Sequence, residues 1–108
     1  MGFTGVESLE ARFATLTYTR QAALLARLIH TETVHVRGAY DEDPADAASL
    51  YASSEFIHHL SGVVMAILHD HDRLDVPLLI AMITATLEPR GGRQLDQFCE
   101  WVEQEEVL

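Results

Sequence analysis

Apolar residues recur along this chain at intervals of three and four, in stretches separated by glycine, proline and acidic clusters. That spacing is the signature of helices rather than strands. Thr4-Gly5-Val6-Glu7 has the form of a capping box and predicts a first helical segment running to about Arg37 and ending at Gly38. Leu25, Leu28, Ile29 and Val36 share its apolar face. The β-branched cluster Thr15, Thr17 and Thr19 weakens helix propensity, so the segment is either one long helix or two with a break near Thr17. A short acidic linker from Ala39 to Asp43 follows, and Asp43-Pro44 then supplies a cap residue and a proline for the first turn of the next helix. This helix, predicted to reach about His69, carries Leu50, Ile57, Leu60, Val64, Ile67 and Leu68 as its core stripe, with Tyr51, Phe56, Val63 and Met65 widening the apolar surface.

Asp75 caps a third helix with Pro77 in its first turn, and the run from Leu78 to Ile83 is apolar on every side until Pro89-Arg90-Gly91-Gly92 stops it. A last helix from Arg93 to Glu106 offers Leu95, Phe98, Cys99 and Val102 to a core, with Trp101 at the flank. These elements describe an all-α fold, an antiparallel four- or five-helix bundle in a single domain over residues 1–108. A third helix so apolar needs cover on several sides. The expectation is therefore that homodimerisation completes the bundle, through Tyr51, Leu79, Ile80, Met82 and Ile83.

Composition narrows the function classes. With 108 residues and 48% hydrophobic residues the chain can bury a core of its own, and the low hydrophobicity of a disordered chain is absent. Seventeen acidic residues against seven basic ones give a formal charge of −10, which repels phosphate backbones and anionic lipids and disfavours nucleic-acid binding. Acidity concentrates at Asp41-Glu42-Asp43 with Asp46, and again at Glu100, Glu103, Glu105 and Glu106, so a basic protein surface is the partner that charge favours. The single cysteine forms no internal disulfide, the first ten residues lack the pattern of a signal peptide, and no apolar run approaches the roughly 20 residues of a membrane span. Cytoplasmic residence without membrane insertion is the expectation.

Candidate chemistry rests on two Glu-x-x-His steps, Glu32 with His35 and Glu55 with His58. Residues three apart share a helix face, so each step can present a carboxylate and an imidazole together. The pattern partly resembles the ferritin-like di-metal bundles. That resemblance implies iron, manganese or zinc held by Glu32, His35, Glu55 and His58, with His30, His59 and Glu103 in reserve. Helical geometry aims Glu32 at the apolar stripe and Glu55 away from its own, so one motif points in and the other out. The simplest expectation for Glu32 is that the helix end splays and the carboxylate reaches water.

A second segment, His69-Asp70 followed by Arg73-Leu74-Asp75-Val76-Pro77, resembles the HD metal-dependent phosphohydrolases. It implies metal ligation by His69 and Asp70, with His30 or His35 upstream and Asp96 downstream. A polar helix end followed by an aspartate cap accounts for the same residues. His58-His59-Leu60-Ser61-Gly62 loosely resembles the phospho-accepting helix of two-component proteins, whereas Gly62 more simply marks a close helix contact. Cys99 falls on a core stripe, and no serine sits at a strained turn, so no nucleophilic triad assembles. The leading expectation is a non-catalytic bundle without cofactor that works through protein contacts.

Overall fold

A computed structural model describes residues 6–42, 47–70, 74–90 and 93–106. Among them lie five α-helices: α1 (Val6–Thr15), α2 (Tyr18–Glu42), α3 (Ala47–Asp70), α4 (Val76–Leu87) and α5 (Arg93–Glu106), with a short 3-10 turn at Glu88–Arg90. The caps expected at Thr4 and at Asp43-Pro44, and the glycines Gly91 and Gly92, lie outside the described residues.

The threonine cluster breaks the first segment, and hydrogen bonding shows how. Thr17 Oγ1 accepts the backbone N–H of Arg20 at 3.3 Å, so Thr17 caps the start of α2. Thr15 Oγ1 instead donates back to the Arg12 carbonyl at 2.7 Å, in the last turn of α1. The corner is fastened from inside. Gln21, buried, donates from Nε2 to the Phe13 carbonyl at 2.9 Å, and the Leu16 N–H reaches the same carbonyl at 3.2 Å.

Gly38 does not end the helix, because α2 continues to Glu42. Glycine inside a helix costs only about 1 kcal/mol relative to alanine, too little to halt an element packed along its neighbour. That neighbour is α3. Five Cα steps separate the end of α2 from the start of α3 and reach at most about 18 Å, far less than either helix is long, so the pair must run antiparallel to lie side by side. On α3 the buried positions are Ser53, Phe56, Leu60 and Ile67, while Leu68 is 62% exposed. At about 100° per residue Phe56 lies about 40° from Leu60 and Leu68 about 80° away, so the stripe is centred toward Phe56 and leaves Leu68 outside.

Asp75 caps α4 as the sequence predicts, its Oδ1 accepting the Leu78 N–H at 3.1 Å, with Pro77 in the first turn. Helix α4 packs against α1 and α5, and α2 joins α5, so one continuous core runs through Leu9, Phe13, Leu25, Leu28, Ile80, Ile83, Leu87, Phe98 and Val102. Phe13 and Phe98 meet at 6.3 Å between ring centroids with planes tilted by 38°, which holds α1 on α5. Trp101, expected at a flank, is buried, and the Arg27 guanidinium of α2 lies 4.2 Å from its ring centroid.

This packing changes the picture of α4. Leu79, Ile80 and Ile83 are buried within the single chain and Met82 is half-buried, so α1 and α5 supply the cover that the apolar run demanded. The side chain of Tyr51 lies outside the described residues.

Candidate functional site

The sequence-derived site residues divide between interior and surface. On α2, Glu32 continues the stripe of Leu25 and Leu28 and is 1% exposed, in contrast to the splayed, water-reaching carboxylate expected. The reason is that α2 does not stop near Gly38: another turn follows, and α3 lies alongside. His35, about 60° further round the helix, is exposed. Thr31 and Thr33, either side of Glu32, donate their hydroxyls to the Arg27 and Ile29 carbonyls at 3.0 and 2.8 Å, satisfying two β-branched residues within the helix.

On α3, Glu55, His58 and His59 all lie on the solvent side. The two that approach are Glu55 and His59, one helical turn apart, with 3.9 Å between Oε2 and Nε2. The rings of His58 and His59 stand edge to face at 6.4 Å. Glu32 is thus walled inside while its three proposed co-ligands face water. Among the described residues no group of three or more His, Cys, Asp or Glu is disposed to hold a metal ion.

The residues of the hydrolase-like segment are likewise dispersed. His69 is exposed at the end of α3, the Asp70 side chain and Arg73 lie outside the described residues, and His30 and Asp96 are exposed on α2 and α5. Cys99 is half-buried on α5, and its thiol is pushed above the ordinary range by burial first, then by the nearby Asp96 and Glu103 carboxylates, against a lowering backbone hydrogen bond. A neutral thiol in such surroundings is a poor nucleophile. The first turns of α5 border an open depression of about 460 Å³ lined by Arg93, Gln94, Asp96, Gln97 and Glu100, a mixed-charge surface built from a single helix.

What the surface does offer is apolar. Val34 on α2, Met65 and Leu68 on α3 and Leu78 on α4 are all more than half exposed. Gly62 faces solvent as well. Apart from its chain neighbours and its own helix backbone, nothing among the described residues lies within 4 Å of where its Cβ would be, so the close helix contact expected there is not formed among them. From Ala52 to His69, Glu55 is the sole Asp, Glu, Lys or Arg. That stretch and Val76–Leu87, which carries no charged residue, are the weakly charged parts of the sequence. No protein-family model matches the chain, and neither a curated protein nor a solved structure is significantly similar to it.

Proposed function

We propose that this protein is a small, non-catalytic helical module that works through protein contacts, as a regulator or accessory subunit, and that it self-associates. The observation that carries the reading is the set of large apolar side chains left at the surface, Val34, Met65, Leu68 and Leu78, on a domain whose own core is already closed. Burial of Leu79, Ile80 and Ile83 moves the self-association surface away from the α4 interior and onto such residues. The acidic end segment, with Glu100 exposed on α5, suits a basic protein partner.

Light scattering tests the first part, with an expected mass near twice 12.0 kDa. A monomer at high concentration overturns self-association. Titration with a lysine-rich polypeptide at low and high salt tests the second, binding being expected to weaken as salt rises. Stoichiometric iron, manganese or zinc in untagged protein, with a melting midpoint lowered by chelator, would replace this reading by a metal-binding one.

A further inference from the structure

We propose that α1 is an exchangeable arm: when the corner at Leu16-Thr17 straightens, α1 and α2 become one helix, and α1 seats on α4 and α5 of a second copy. The interaction surface is the groove of α4 and α5 that α1 fills here, so the structure itself shows what occupies it. Exchange is a route to self-association separate from contact through Val34, Met65, Leu68 and Leu78, because it needs no exposed apolar residue. Either route operates without the other.

The corner is short and its fastenings are local. Only Leu16 and Thr17 separate α1 from α2. The bend is held by Thr17 Oγ1 on the Arg20 N–H, by the Gln21 side-chain amide on the Phe13 carbonyl, and by the Leu16 N–H on that same carbonyl. A straight helix replaces all three, since the N–H groups of residues 17–20 then meet the carbonyls of residues 13–16. The bent form also keeps Gln21 Oε1 buried with no hydrogen-bond partner among the described residues, a cost that counts against it. The apolar pattern suits both forms: at about 100° per residue, Leu9, Phe13, Leu16 and Leu24 fall within about 80° of one another on a continuous helix. Against straightening stand Thr15, Thr17 and Thr19, whose β-branched side chains weaken a helix. The corner is therefore a hinge with two competing states.

Geometry then calls for the second copy. In the straight form the arm from Val6 to Thr17 extends about 18 Å past the start of α2, away from the groove on its own chain. Leu9, Phe13 and Leu16 are left bare, and so is the groove around Phe98. Reciprocal docking of two copies covers both arms and both grooves with the contacts that one chain already makes with itself.

Refolding the full chain from urea at millimolar concentration, followed by light scattering on the separated species, tests the exchange. In a dimer refolded from mixed isotope-labelled and unlabelled chains, filtered NMR should find the Phe13–Phe98 ring contact between copies, whereas in the monomer it lies within one chain. Thr17→Ala removes a cap from each of two corners and should strengthen dimerisation about twenty-five-fold, a factor of about five per corner. Tyr18→Pro puts proline at the first position of α2, where it suits a helix start, and bars the straight helix by removing an N–H and crowding the Ala14 carbonyl. It is expected to leave the melt of the monomer close to that of the wild type and to weaken the dimer by at least about a hundredfold. The absence of a dimer from both wild type and Thr17→Ala overturns the proposal. A dimer whose Phe13–Phe98 contact stays within one chain, or that a folded Tyr18→Pro leaves intact, also overturns exchange, and self-association through the exposed apolar residues then stands alone. The ring contact and Thr17→Ala decide the matter even where Tyr18→Pro fails to fold.

Discussion

Truncation of Phe13 to alanine tests how α1 is held. An isolated helix of ten residues is not stable in water, so α1 owes its place to what it buries. Leu9, Phe13 and Leu16 are all in the core, and Phe13 is the largest of them, with no exposed surface and its ring against Phe98. Removing a buried phenylalanine ring typically costs about 3–5 kcal/mol, the lost transfer energy plus the cavity left behind. A domain of this size has roughly 5–15 kcal/mol in all. Urea denaturation at 25 °C should therefore show the midpoint falling by about 2 M for Phe13→Ala, with the slope unchanged if unfolding remains a single transition. A cycle with Phe98→Ala should reveal about 0.5–1.5 kcal/mol of coupling from the ring pair. A loss below about 1 kcal/mol, or strictly additive variants, would mean that α1 is an appendage and that the core closes without it.

Four further outcomes follow from local chemistry. Thr17→Ala should lower stability by about 1 kcal/mol through loss of the α2 cap, while Thr17→Asp should hold it, both read from denaturant midpoints. Thr84 Oγ1 is buried with no hydrogen-bond partner among the described residues, so Thr84→Val should raise stability by up to about 1 kcal/mol; a loss would show that the hydroxyl is satisfied. The Arg27–Trp101 contact should give about 0.5–1 kcal/mol in a cycle of Arg27→Met and Trp101→Leu, and zero coupling would reduce it to proximity. The folded thiol of Cys99 has a raised pKa, so the folded state favours the proton. Its contribution is complete below the ordinary thiol value of about 8.5 and is lost as pH climbs through the raised one. Alkylation of folded protein should be slow at neutral pH and accelerate above that value, whereas Cys99→Ala should flatten the stability profile there.

Much of this fold was legible in the residues. Asp75 and Pro77 marked the start of α4, α5 runs over the range expected after Pro89-Arg90-Gly91-Gly92, and the threonine cluster marked where a break between two helices would fall while leaving one long helix open. The end of α2 was not legible, because the weak helix penalty of Gly38 is overridden by packing that only tertiary structure supplies. The same cause hid Glu32: its angle on the helix was readable, but its burial depends on how far α2 continues and on α3 beside it. Trp101 and Phe56 looked like flanks for want of a few tens of degrees in stripe phase. For the candidate site, the solvent side of Glu55 was readable from one helix alone. That the two Glu-x-x-His steps point in opposite directions was readable as well, from the angle of each on its own helix. The cover of α4 by α1 was out of reach, being a contact between residues some seventy positions apart.

That last contact has a consequence for how the molecule is made. The α2–α3 pair is local in sequence and can zip up as soon as both helices exist, but α1 finds its main packing partners on α4 and α5. During synthesis its oily residues, Leu9, Phe13 and Leu16, must wait uncovered until Phe98 and Val102 have emerged. The earliest of these five helices to be translated is the last to dock, and the nascent chain carries a sticky segment until α4 and α5 have been made.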